Sequence, residues 1–171
     1  MTPEQAMFLL NFFLPTIRKE AQTTLRVLRA VPADKAGYRP DPNSRTALEL
    51  AWHIASADIW FLDGFVARNF NMEDDTMPAD LSNAADIAGW YEDSLEPKLV
   101  KASKLSPEFW AAPLPFFGIY NLPAVMYLQF MLFHTIHHRG QLCAYLRPMG
   151  SKVPNIYGGS FDEPMDIPHE G

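Results

Sequence analysis

Apolar residues near the N-terminus recur at three- and four-residue steps: Leu10, Leu14, Ile17, Ala21, Leu25 and Leu28. That is the period of a helix that buries one face. Thr2 with Pro3 supplies a cap and first-turn pair. Pro15 removes a backbone donor, so this helix is expected to kink there or begin late. A second stripe, Leu48, Ala51, Ala55 and Leu62, follows Thr46-x-x-Glu49, the spacing of a capping box. A third helical pattern runs over about 82–104, with a kink expected at Glu96-Pro97, and Ser106-Pro107 caps a short turn. The fourth is expected over roughly 122–147, capped by Asn121 and ended by Pro148 and Gly150.

The segments between are loops by composition. Residues 31–45 hold Pro32, Pro40 and Pro42; residues 69–81 are polar, acidic and proline-containing; Pro113 and Pro115 break the chain again. Residues 151–171 are rich in glycine, proline and acid and read as a tail that closes the bundle end. No strand pattern competes, and no repeat is present. The expectation is all-α: a four-helix bundle, built as one domain over residues 1–171.

Composition removes several function classes. A hydrophobic share of 48% with mean hydropathy of -0.11 fits a soluble globular chain. Net charge is -6 and the basic residues are scattered, so the basic stripe of a nucleic-acid binder is missing. The apolar run 7–14 is too short to span a bilayer and follows Glu4 rather than a basic segment, so it reads as core helix, not membrane span or signal peptide. A lone cysteine, Cys143, excludes an internal disulfide and fits a reducing, cytoplasmic setting.

The chemistry concentrates in His134-Thr-Ile-His137-His138-Arg139-Gly140-Gln141. His134 and His138 are four residues apart, which stacks them on one helix face. Projection at about 100° per residue puts Tyr127, Phe130, Met131, His134, His138, Gln141, Leu142 and Tyr145 on one face, expected to point into the bundle. His137 lies on the flank. A lone buried histidine is usually a hydrogen-bonded core residue; two at this spacing are harder to satisfy without a metal ion, since each unpaired buried ring costs on the order of 1–3 kcal/mol. His53, in the second helix, is the third candidate ligand. Three neutral imidazoles make an open site with room for water or substrate.

Around His53, Ser56 and Ala57 leave space and Trp60 offers an apolar wall. Glu49 is an outer acceptor, an extra ligand or a solvated first-turn acid. Gln141 is the candidate catalytic side chain, able to hydrogen-bond the reacting species, and Tyr127 and Tyr145 are pocket or packing residues. Arg139 reads as an anchor for a substrate carboxylate or, the preferred reading, as half of an ion pair with a neighbouring helix. Gly140 in mid-helix suggests close helix approach, and Val125, Leu132, Ile136 and Cys143 form a second apolar stripe for bundle contacts or a dimer. Asn155, Tyr157 and Phe161 are placed after the last helix, where they could fold over the site mouth; His169 is taken as surface. The motif is not His-Glu-x-x-His, since Thr135 stands where a metalloprotease base would be, and no Glu-x-x-His pair points to a di-iron site.

These residues resemble the DinB/YfiT-like family of metalloenzymes. His-x3-His-Arg-Gly-Gln at 134–141 is similar to the signature of its last helix, the stretch from Ser44 through His53 to the segment carrying its first ligand, and Val153-Pro-Asn-Ile-Tyr157-Gly to its ending. The resemblance implies an up-down-down-up four-helix bundle, often a homodimer. It also implies a zinc or nickel site, or one for a similar divalent ion, on His53, His134 and His138. Members with assigned reactions are transferases or isomerases using low-molecular-weight thiols on small-molecule substrates. A thiol meeting such an ion loses its proton near neutral pH. The same site would suit a hydrolase, and a non-catalytic metal- or ligand-binding bundle is the remaining class. No nucleic-acid or membrane partner is expected.

Overall fold

The computed structural model describes residues 1–70 and 75–165. Four long helices dominate: α1 (Pro3–Arg29), α2 (Ala47–Ala67), α3 (Ala84–Ser103) and α5 (Tyr127–Leu146), with a short α4 (Pro107–Ala111). Capping chemistry sets their starts. Thr2 and Gln5 form one capping box and Thr46 and Glu49 another, each side chain satisfying a backbone N–H of its partner. Asn83 caps α3 and Ser106 caps α4. The helix starting at Pro3 overturns the late start that Pro15 suggested: a proline costs one intrahelical bond, and eleven buried positions on that face outweigh it.

The helices pack as α1 on α3 and α5, and α2 on α3 and α5. Leu10, Leu25, Leu28, Leu50, Ile54, Phe65, Ile87 and Leu128 meet in one core, each no more than 2% exposed. The chain is predominantly helical.

Two expectations are corrected ahead of α5. The chain at Pro113–Phe116 (β1) and Tyr120–Pro123 (β2) is an antiparallel hairpin, not the approach to a helix, and α5 begins at Tyr127 after a 3-10 turn over Ala124–Met126. Phe117 (φ 50°) and Gly118 (φ 69°) take left-handed conformations at its tip, as hairpin turns of matching twist require. Prolines are tolerated because each strand of a lone pair is an edge strand, with one side free of ladder bonds. The Leu114, Phe116 and Tyr120, Leu122 alternation was the available signal. The Cβ absent from Gly140 would meet open space, so no close helix approach explains that residue.

The carboxylate buried in the core, Asp58, is paired. Tyr91 donates to Asp58 Oδ2 (2.5 Å), and Thr135 donates to the other carboxylate oxygen. Burial pushes the Asp58 carboxyl up to about 6, against the pull of those two donors. The folded state therefore binds more protons than the unfolded chain between roughly pH 4 and 6, and Asp58 contributes stability that grows as pH falls through that window. The increment is up to about 3 kcal/mol. In Asp58→Asn it should vanish. Urea unfolding of both proteins at about pH 4.5 and about pH 7 checks this, and identical pH responses would refute it.

Candidate metal centre

His53 projects from α2, and His134 and His138 from α5, the helix packed against it. The three Nε2 atoms converge: His134 to His53 is 3.0 Å and His53 to His138 is 3.3 Å. One ring nitrogen from each lies within 4.8 Å of the others. A tetrahedral ion with bonds of about 2.0–2.1 Å would space its nitrogen ligands about 3.3 Å apart. The His134–His53 and His53–His138 pairs match that spacing.

Electrostatics prepare the rings as ligands. Burial lowers His134 to about 3 and His53 to about 4; the remaining histidines and Arg45 push the same way. Burial also lowers His138. All three are neutral near pH 7, the state a metal needs.

Neighbours orient two rings. His138 Nδ1 lies 2.8 Å from Gln141 Oε1, so Nδ1 holds the proton and Nε2 presents a lone pair inward. Gln141 Nε2 in turn reaches His137 Nε2 at 3.1 Å. His53 Nδ1 faces Asp75 Oδ2 at 3.9 Å. His134 Nδ1 is buried without a partner among the described residues. Neutral imidazoles crowding their Nε2 atoms together cannot all donate, and a cation at their centre resolves the conflict. The residues fit a divalent ion.

A model of the DinB family matches residues 7–170. The chain belongs to the DinB family. The uncharacterised protein YrdA of Bacillus subtilis is 27% identical over 156 residues, spanning 90% of this chain and 91% of that one. A DinB-like protein of Bacillus cereus superposes with a TM-score of 0.70 at 27% identity, over 85% of this chain and 95% of the other. The DinB-like protein YjoA of Bacillus subtilis does so at 0.65 and 24%, over 86% and 96%, a likeness of fold.

Two cavities meet at His53 of the DinB triad. One of about 540 Å³ is walled by Trp60, Phe61, Trp90, Phe116 and Phe117, with Ser56, Ala57, His53 and His134 at its base. Trp60 stacks on Phe117, rings 6.0 Å apart and 6° from parallel. The other, about 470 Å³, is lined by Arg39, Asn43, Ser44, Arg45, Glu49 and Met77. Trp52, His53 and Asp75 border both.

Several candidates land elsewhere. Tyr127 and Tyr145 border neither cavity. Tyr127 is fully buried and donates to the Leu114 carbonyl while accepting from Leu122 N–H, and Tyr145 packs edge-on to Tyr38. Glu49 is held by its capping box, 2.7 Å from Thr46 N, and is no ligand of the triad. The ligand face of α5 is only half-buried; its deepest column is Leu128, Met131, Thr135, Arg139, Leu142 and Leu146. Gln141 is exposed. Arg139 is an ion-pair residue, on Glu20 of α1 at 2.6 Å.

Val125 and Leu132 of the second stripe are buried, while Ile136 and Cys143 are half-buried. Residues 151–165, the described part of the tail, line neither cavity. Tyr157 bonds Arg139 and Glu20 on the far side of α5, the Asn155 carbonyl accepts from Arg26 of α1, and Phe161 is 91% exposed. His169 lies outside the described residues. Sequence reading missed Asp75, Arg39 and Arg45 as neighbours of the site, because they stand in loops that no periodicity places. Among the described residues no helix is long and apolar enough to cross a membrane.

Proposed function

We propose that this DinB-family chain holds one divalent metal ion, zinc or nickel, on His53, His134 and His138, and serves a thiol-dependent S-transfer or isomerisation of a small molecule. The observation that carries the reading is the convergence of three neutral Nε2 atoms, two of them from histidines that line an aromatic-walled cavity. When bound, the ion supplies positive charge and an open position at which a thiol loses its proton near neutral pH. The chain's own residues do the rest. Trp60, Phe116 and Phe117 exclude water and hold an apolar substrate group, and Gln141 fixes the His138 tautomer.

The test is a titration of 2-mercaptoethanol into cobalt-loaded protein. A changed visible and near-ultraviolet cobalt spectrum is expected. An unchanged spectrum, with about one ion per chain still bound, would leave the non-catalytic metal-binding bundle as the better reading.

A homodimer and the up-down-down-up helix order belong to the same proposal. Phe8 (75% exposed) and Phe12 (60%) on α1, with Phe133 (58%) on α5, give two packed helices exposed apolar surface. Consecutive helices α1 and α2 each pack instead on α3 and α5, an arrangement that suits a crossover order. Sedimentation velocity is expected to show a dimer that Phe8→Glu with Phe12→Glu dissociates; a monomeric wild type would exclude it.

A further inference from the structure

We propose that the two cavities are the two halves of a bipartite substrate site: the polar one holds the oxyanion end of the thiol cosubstrate, and the aromatic one holds an apolar electrophile. The inference rests on the thiol-transfer reading above and adds which chemistry each partner must carry.

The guanidinium groups decide the polar half. Of the other arginines in this acidic chain, Arg18, Arg26, Arg29, Arg139 and Arg147 pair with carboxylates, and Arg68 donates to the Phe109 and Pro113 carbonyls. Arg39 and Arg45, both lining the polar cavity, have no ion pair among the described residues. Among the described residues Arg39 makes one long hydrogen bond, 3.4 Å to the Pro42 carbonyl. The two acids in the same cavity have nearer partners: Glu49 sits in the Thr46 capping box, with the charges of Arg39 and Arg45 a weaker influence on it, and Asp75 faces His53 Nδ1. Two guanidinium groups with no ion pair among the described residues suit a carboxylate or phosphate, which such groups bind through paired N–H donors.

The loop that carries these arginines is held in place. Ala47 N–H donates to the Tyr38 carbonyl (2.8 Å) and Leu48 N–H to the Ala36 carbonyl (3.0 Å), which docks the loop on the start of α2. Arg45 and His53 line the same cavity. A molecule anchored there reaches the triad with a short arm.

The aromatic half is of opposite character. Its walls are mostly rings; its lining also holds the exposed Asp63 and Asp75, and the Ser56 hydroxyl is buried with no partner among the described residues. It is free to hydrogen-bond an electrophile's polar atom. His53 borders both cavities, so the two substrates meet at the triad. There the thiol gives up its proton to solvent, its sulfur forms a bond to the electrophilic carbon, and the leaving group departs with the electron pair of the bond it breaks.

The test is equilibrium binding to zinc-loaded and to metal-free protein, by calorimetry, with N-acetylcysteine, its uncharged methyl ester, and the thiol-free N-acetylserine. N-acetylcysteine is expected to bind about ten- to a hundredfold more tightly than its ester, and Arg39→Gln with Arg45→Gln should erase that preference. 2-Naphthol, followed by tryptophan fluorescence, should bind together with N-acetylcysteine. It should be weakened about tenfold by Trp60→Ala, and by Phe117→Ala should the first variant not fold, and be untouched by the arginine changes. Mercaptoethyl phosphate in place of N-acetylcysteine tells which oxyanion is preferred. Equal binding of acid and ester, a preference surviving in the arginine variant, or mutual exclusion of naphthol and N-acetylcysteine would overturn the bipartite site. Equal binding of N-acetylserine and N-acetylcysteine to zinc-loaded protein would instead sink the thiol reading, with the oxyanion result still standing by itself.

Discussion

His53→Ala is expected to lose essentially all of the stoichiometric metal, falling from about one divalent ion per chain to below about a tenth after loading and desalting. His134 and His138 alone are two donors on one helix; His53 brings the third from α2 and turns a weak pair into a site. Elemental analysis of untagged protein is the measurement, with His138→Ala expected to behave alike. Gln141→Ala is the informative contrast. It keeps all three donors but frees the His138 tautomer, so stoichiometry should hold while affinity falls about ten- to a hundredfold. Stability reports the same event: with metal at a hundred times its Kd the wild type should gain about 2.7 kcal/mol against denaturant, and His53→Ala nothing.

The pH dependence of loading follows from the neutral rings. Protons compete with a metal only where the metal-free imidazoles charge, and burial holds His53 at about 4 and His134 at about 3. Loading should stay level as pH falls through about 6.5, where ordinary histidines would begin to release their ion. Metal-replete protein with no bound ion at pH 7 would reduce the triad to packing residues.

Arg139→Ala is expected to be the most damaging single change to the fold, at about 3–5 kcal/mol. Arg139 is 2% exposed and donates to the Glu20 carboxylate (2.6 Å) and backbone carbonyl (3.0 Å), to Thr24 Oγ1 (3.3 Å) and to the Tyr157 hydroxyl (2.6 Å). Truncation would strand the Glu20 carboxylate, itself 8% exposed, with only the Tyr157 hydroxyl as donor. Replacing both partners, Glu20→Leu with Arg139→Met, should recover most of the loss, since desolvating an ion pair costs nearly what its attraction returns. Urea unfolding separates the cases; a single-variant loss under about 1 kcal/mol would show that the pair is not what locks α5 to α1. Because Arg139 follows His138 directly, the pair also sets the rotation of α5 that aims the ligand histidines at α2.

Much of the helical framework was legible in the chain. The stripe from Leu10 to Leu28 repeats at helix spacing and all six of its members are buried, and the Thr46–Glu49 capping box lies where its spacing put it. The hairpin before α5 was not, because its prolines were read as breaks when they sit on edges. The rotation of α5 was misjudged for a related reason. Its apolar residues wrap most of the way round, so periodicity alone could not place the core column, and a buried ion pair sits on the side where a charged residue suggests solvent.

By itself the sequence determined which segments are helices, where most of them start, and that two histidines share one face of the last, since these depend on neighbours within a turn or two. Tertiary structure alone decided that His53 meets that pair at 3.0 and 3.3 Å, that Asp75 stands behind it, and that Arg39 and Arg45 line a cavity with it. Distances between side chains on different elements are set by how helices cross and how loops dock, and no local rule of spacing carries that information.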